Sequence, residues 1–206
     1  DWNNRFSFHV THGQASFHTR STFLSLQTGG RRLQYTVSVL DSRAENDFVY
    51  RDKFLPGSPE VRSGHNAFAG RGIMQNIHLN AGNGNFVEAG AWIQQKSKEI
   101  PSILGSYNVS HARQADNTFR AYLNHSRHFT RSVLLLKTAW FTDDLRYTDK
   151  HEASDADYAI DSRIATSRIM GGAEYRRSFS QTLTAGAGIS AVHTTAATNN
   201  YVHDIT

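Results

Sequence analysis

RRLQYTVSVLDSRAENDFVY, residues Arg31 to Tyr50, decides the fold. It follows Gly29-Gly30, a tight-turn signal, because glycine takes positive φ at no steric cost. Leu33, Tyr35, Val37 and Val39 then alternate with Gln34, Thr36 and Ser38. A period of two is a β-strand with one apolar and one polar face. After Asp41 the stretch runs into a charged and aromatic loop. The same succession of turn, long strand and long loop recurs down the chain.

Upstream, Arg5 to His12 alternates Phe6, Phe8 and Val10 with Ser7, His9 and Thr11. Gly13-Gln14-Ala15 reads as a short turn. Ser16 to Gln27 reads as a second strand whose faces the pattern does not assign. Downstream, Ala44 to Gly64 is a long loop, since it holds Pro56 and Pro59, which a central strand excludes. Asn66 to Leu79 returns as a strand with Ala67, Ala69, Ile73, Ile77 and Leu79 in phase, but Arg71 and Gln75 spoil that face. Asn80 to Gly84 has turn composition. Asn85 to Gln95 sets Val87, Ala89, Ala91 and Ile93 against Glu88 and Gln94. Lys96 to Asp116, with Pro101, is the second long loop.

Asn117 to His125 alternates Phe119, Ala121 and Leu123 with Arg120, Tyr122 and Asn124. Ser126 to Thr130 turns the chain. Arg131 to Thr142 is a strand with Leu134, Leu136 and Trp140 outward and Lys137 inward. Asp143 to Ile160 is predicted as a third long loop, rich in acid. Asp161 to Arg177 is a strand interrupted at Gly171-Gly172. Ser178 to Ser180 turns it into a last strand, Gln181 to His193, and the tail from Thr194 reads as loop.

This makes about nine strands in 206 residues, all-β and antiparallel. Most reach the ~9–11 tilted residues that cross a bilayer. Short turns at 29–30, 80–84, 126–130 and 178–180 fall at one end; long loops at 44–64, 96–116 and 143–160 fall at the other. Only the turn at 13–15 breaks this parity. Such segregation belongs to up-and-down transmembrane β-barrels, whose periplasmic turns are short and external loops long. Aromatic girdles are expected from Trp2, Phe17, Phe86, Phe129, Trp140 and Phe141. An odd strand count cannot close a bacterial single-chain barrel, which uses even numbers. The expectation is therefore one barrel portion over residues 1–206.

Composition agrees. Hydrophobic residues are 38% and charged ones 19%, with 15 glycines and three prolines, all three in predicted loops. The +4 charge is scattered rather than striped, which argues against a nucleic-acid surface. Cysteine is absent, so neither disulfides nor thiolate metal sites enter. No run of ~18 apolar residues forms a transmembrane helix. The start Asp1-Trp2-Asn3-Asn4 has no signal peptide, the expectation for a mature chain or part of a longer one.

RFSFHVTHGQASFHTRSTFLSLQTGGRRLQYTVSVLDSRAENDF, from Arg5 to Phe48, resembles the first barrel strands of TonB-dependent outer-membrane receptors. The family's tight external turn between strands one and two matches the short turn at 13–15. NDFVYRD (46–52), AWIQQKSKEIPSILG (91–105) and RQADNTFRAYLNH (113–125) resemble the cobalamin-receptor-like branch. The resemblance covers most of residues 1–177. It implies a 22-stranded barrel in the bacterial outer membrane around a plug domain that this chain does not contain. It implies import of a scarce, bulky nutrient: a corrinoid such as cobalamin first, an iron-siderophore or haem next. It also implies the TonB complex, acting through the plug, and a surface lipoprotein as partners.

The ligand-contact candidates are Phe48, Tyr50, Arg51, Phe54, Tyr107 and Arg113, aromatics with interspersed charges in two neighbouring loops. The competing role for them is packing loop against loop. Asp143, Asp144 and Asp149, with Glu152, Asp155 and Asp157, are candidate calcium ligands; they lack EF-hand spacing, and solvated surface charge competes. The eleven histidines are dispersed and form no HExxH, with His9 and His18 at polar positions facing a lumen. No GxSxG is present, and the chain is not read as an enzyme. Two other readings stand beside the receptor. One is a self-contained ten-stranded outer-membrane barrel acting as adhesin or hydrolase, which requires a sheet closed by this chain alone. The other is a soluble β-sandwich binding module.

Overall fold

A computed structural model describes residues 5–102, 104, 110–150 and 158–199. Eleven strands follow one another: β1 (Arg5–Ala15), β2 (Thr19–Gly29), β3 (Leu33–Ala44), β4 (Val49–Arg51), β5 (Glu60–Arg62), β6 (Phe68–Gly82), β7 (Asn85–Glu99), β8 (Arg113–His128), β9 (Ser132–Lys150), β10 (Tyr158–Ser178) and β11 (Thr184–Asn199). Nine of them form a single antiparallel sheet in the order β1-β2-β3-β6-β7-β8-β9-β10-β11. The remaining two, β4 and β5, make a small hairpin inside the β3–β6 connection. Among the described residues there is no helix, and the sheet order ends on β1 and on β11.

The alternation read in the sequence becomes two faces, because residues directly opposite in an antiparallel ladder share a face. Four rows run across one of them. The first is Val10, Leu24, Val39, Ile73, Ile93, Phe119, Thr142, Ser167 and Thr195; the second is Phe8, Leu26, Val37, Gln75, Ala91, Ala121, Trp140, Ile169 and His193. The third is Phe6, Thr28, Tyr35, Ile77, Ala89, Leu123, Thr138, Gly171 and Ala191. The fourth is Leu33, Leu79, Val87, His125, Leu136, Ala173 and Ile189. None of these rows holds Asp, Glu, Lys or Arg. Their polar members find local partners: Tyr35 Oη donates to Gln75 Oε1 at 3.0 Å, and Trp140 Nε1 to Ser167 Oγ at 3.2 Å.

The other face, at the same height, is mainly polar from β1 to β8 and more mixed on β9 to β11. One row there is Ser7, Gln27, Thr36, Asn76, Gly90, Tyr122, Ala139, Met170 and Val192, and the next includes His78, Glu88, Asn124 and Lys137. Arg120 and Gln94 fall on this face as well. Ala112 is the one buried hydrophobic residue among those described, whereas Phe6, Phe8, Ile93, Trp140 and Ile189 stand exposed on the apolar face. Among the described residues no second layer covers them.

Turn parity holds at the four short turns, 30–32, 83–84, 129–131 and 179–183, which share one end. Several predicted boundaries are corrected. Gly13 and its neighbours are strand, paired with β2, and the reversal is made at 16–18 by Phe17 and His18 with φ of 60° and 53°. The pairing of β10 with β9 runs through Gly171 and Gly172 without a break. The tail continues as strand to Asn199.

The first part of the acidic stretch is strand: β9 extends to Lys150, and Asp143 and Asp144 lie within it. Salt bridges across the ladder explain this. Asp144 takes two hydrogen bonds from Arg163, both 2.8 Å, and Asp161 takes two from Arg146, at 2.8 and 2.5 Å. The hydrogen bonds from Arg146 hold the Asp161 carboxyl below the usual carboxylate range, against a smaller opposing effect of desolvation. Among the expected girdle aromatics, Phe17 and Phe129 do sit at strand ends. Trp140 instead lies mid-strand on the apolar face, and Phe141 points to the polar face opposite Arg120. Trp2 lies outside the described residues.

Candidate functional site

The end of the sheet bearing the long connections is built from the β1–β2 turn outward. Phe17 carbonyl accepts from the amides of Glu45 at 3.2 Å and Asn46 at 3.3 Å, which fastens this turn to the exit of β3. Asn46, itself at positive φ, donates from Nδ2 to the Asn66 carbonyl at 2.9 Å, so both ends of the β3–β6 connection are tied together. Between them β4 and β5 pair, with Ser63 N donating to Phe48 carbonyl and Asp52 N to Pro59 carbonyl. Asp52 is buried and caps the hairpin tip by accepting from Phe54 N at 2.9 Å.

This scaffold gathers three rings. Phe17 meets Phe48 edge-on at 5.6 Å between centroids, and Phe48 meets Tyr50 at 5.9 Å. Phe54 stands alone at the hairpin tip, 73% exposed. Arg51 faces Glu60 across the hairpin at 3.8 Å. Arg113 lies apart from this group, at the base of the β7–β8 connection, where it donates to Glu99 Oε1 at 2.9 Å. The structure therefore joins Phe48 with Tyr50, adds Phe17, and engages both arginines in ion pairs. Tyr107 lies outside the described residues.

Glu99 also ties the two connections together. Its Oε2 accepts from Ala67 N at 3.1 Å, and His65 Nε2 donates to Ala112 carbonyl at 2.7 Å. Loop-to-loop packing and the three-ring group thus fall on different residues of the same segment.

Beside the rings lies a charged group that the sequence pattern did not reveal. His18 Nδ1 is 3.0 Å from Glu45 Oε2 and 3.3 Å from Asp47 Oδ1, and Arg62 reaches Asp47 Oδ2 at 3.0 Å. The His18, Glu45 and Asp47 donor atoms lie within 4.8 Å of one another, close enough to share a cation. Here Nδ1 carries the proton, since carboxylates only accept, and Arg62 already supplies the cation. Twenty-nine residues separate His18 from Asp47, and no spacing signal links them.

The three described calcium candidates, Asp143, Asp144 and Asp149, do not converge. Asp143 is on the polar face, where it accepts from Thr118 Oγ1 at 3.0 Å and pairs with Arg120 at 3.7 Å. Asp144 is on the opposite face, held by Arg163. Asp149 lies near the top of β9 opposite Ile160. Glu152, Asp155 and Asp157 lie outside the described residues.

The polar face carries its own network. Tyr122 Oη contacts Asn76 Oδ1 at 3.0 Å and Glu88 Oε1 at 3.3 Å, and Asn124 Nδ2 donates to Glu88 Oε2 at 3.3 Å. Gly90 makes this possible. A Cβ there would lie 2.4 Å from Tyr122 Cε1 and 2.6 Å from Asn76 Oδ1. One row higher, Arg120 stacks over Trp92 at 5.3 Å. On the apolar side, His12 Nδ1 touches Thr22 Oγ1 at 2.9 Å, but its other nitrogen faces Gln14, so no carboxylate orients the pair as nucleophile activation requires.

The structure thus places three aromatic rings at the end with the long connections and a hydrogen-bonded network on the polar face. No protein-family model matches this chain, and no curated protein matches it at a significant level.

Proposed function

We propose that the chain is a portion of the barrel wall of a TonB-dependent receptor in the bacterial outer membrane, importing a scarce, bulky nutrient. The observation that carries the reading is the pair of opposed faces: four rows without a charged side chain, backed by a polar, networked surface. Exposed apolar surface of this extent is not kept against water in a monomeric soluble protein. It is what lipid would cover on the outside of a barrel whose lumen is polar. On β10 the four uncharged rows run from Ser167 to Ala173, about 20 Å of strand, and the next outward rows bring in Asp144 opposite Ala165 and Arg127 in line with Tyr175.

Phe17, Phe48 and Tyr50 are the ligand-facing group in this reading, with Phe54 at the rim. Glu88, Gln94, Arg120 and Lys137, with Tyr122, line the lumen. A corrinoid leads as ligand, and an iron-siderophore or haem follows. Ligand class, TonB coupling and a surface lipoprotein partner rest on the sequence resemblance. A self-contained barrel would join β1 to β11, and among the described residues no ladder does so.

The test begins with fractionation and a heat-dependent gel shift in detergent. Cyanocobalamin, a ferric siderophore and haem are then titrated against the detergent-extracted protein. Tightest binding is expected for cyanocobalamin, weakened about 30-fold by Phe48→Ala/Tyr50→Ala, as for a buried aromatic anchor pair. Absence from the membrane fraction would refute the barrel. Binding of a siderophore or haem alone would reassign the ligand.

A further inference from the structure

Directly above the uncharged rows, on the same face, the ladder places a run of arginines. Arg20 on β2 is opposite Arg43 on β3, and Arg43 is opposite Ala69 on β6, whose neighbour across is Ser97 on β7. One row lower Arg71 is opposite Asp41. The small Ala69 and Ser97 leave an open groove of about 740 Å³, whose two carboxylates, Glu45 and Glu99, already engage His18 and Arg113, so that Arg20 and Arg43 are the surplus charge on its walls.

The charges there are poorly balanced. Like charges directly opposite on neighbouring strands repel. Arg43 has one long contact, 3.4 Å, to Asp41. Arg71 donates to the neutral Gln95 at 2.9 Å. Among the described residues Arg20 has no partner, although Gln14 lies opposite it in the ladder. The β9–β10 ladder offers the contrast. Arg146 and Arg163 are also directly opposite, but Asp161 and Asp144 neutralise both. The β2–β3–β6 cluster thus has room and charge for an anion that the chain itself does not supply.

We propose that this groove binds the phosphate of an anionic lipid headgroup at the loop-end margin of the apolar band. The inference rests on the barrel reading above. One feature favours a lipid over a free anion, and a second suits the phosphate of either. The groove is continuous with Leu24, Val39 and Ile73 one or two rows below, where acyl chains would lie. Guanidinium groups bind phosphate oxygens in bidentate fashion, and each basic side chain at a membrane surface contributes about fivefold in affinity.

The experiment uses the detergent-extracted protein carrying the whole chain, with the heat-dependent gel shift read first for every variant. Retention of phosphatidic acid, phosphatidylcholine and inorganic phosphate is then measured by native mass spectrometry. Wild type is expected to retain phosphatidic acid and not phosphatidylcholine. Arg20→Gln/Arg43→Gln is expected to bind it about 30-fold less and Arg71→Gln about fivefold less. Arg20→Lys/Arg43→Lys guards against misfolding and is expected to keep most of the binding. Arg127→Gln, on the same face at the opposite end, is expected to change nothing. Equal retention by the Gln pair and wild type would overturn the site, as would displacement of the lipid by an equal concentration of inorganic phosphate. A wild type lacking the gel shift would instead refute the barrel.

Discussion

Gly90 shows how much one missing methyl group decides. The Tyr122 ring lies across it to reach Asn76 and Glu88, so the network on the polar face depends on a position with no side chain. Gly90→Ala is expected to destabilise the sheet by about 1–3 kcal/mol, the usual cost of overpacking. Gly171→Ala serves as the comparison, since its added Cβ would meet nothing nearer than 3.8 Å and strands favour a side chain. Denaturant unfolding midpoints in detergent would check both, and equal midpoints would refute the steric argument. The sequence could not mark Gly90 as special, because its two obstacles come from β6 and β8. The misplaced first turn has a similar cause. Gly13 looked like the turn residue, but two residues with side chains, Phe17 and His18, take the positive φ instead.

At the scale of strands the sequence was most legible where alternation was unbroken. β1, β3, β7 and β8 were assigned to the correct faces from their period alone. Arg71 and Gln75 blurred β6 for two different reasons: Arg71 lies above the uncharged rows, and Gln75 lies within them but is bonded to Tyr35. The acidic run on β9 was misread because charge density resembles loop composition. Its neutralising arginine, Arg163, is nineteen residues away on β10. Face identity also makes a prediction. Ala121, central in the uncharged rows, is expected to resist Arg by about 2–4 kcal/mol in a bilayer. Tyr122→Arg, one residue on, should lose only its local hydrogen bonds. Folding yields into lipid vesicles for the two variants would distinguish them, and similar losses would remove the case for a lipid-facing surface.

For the whole molecule, the telling feature is a wide sheet without a core. Soluble sheets bury one face against another layer; here, among the described residues, one small hydrophobic residue is buried, and stability comes from ladders and from whatever covers the apolar face. Among the described residues the β1 and β11 margins each have a neighbour on one side only. In the 206-residue chain their amides are expected to exchange with solvent earlier than those of β7 and β8, which are flanked on both sides. Hydrogen exchange read by mass spectrometry would check this, and uniform protection would mean that something pairs the margins.

The strand order carries one more consequence. Every strand of the main sheet lies beside its predecessor in the chain, apart from the β4–β5 hairpin carried within one connection. Growth can therefore proceed vectorially, each newly added hairpin zipping onto the last with no distant segment to await, which keeps the loop-closure cost of each step small. Such a wall can be laid down strand by strand, in the order in which it is synthesised.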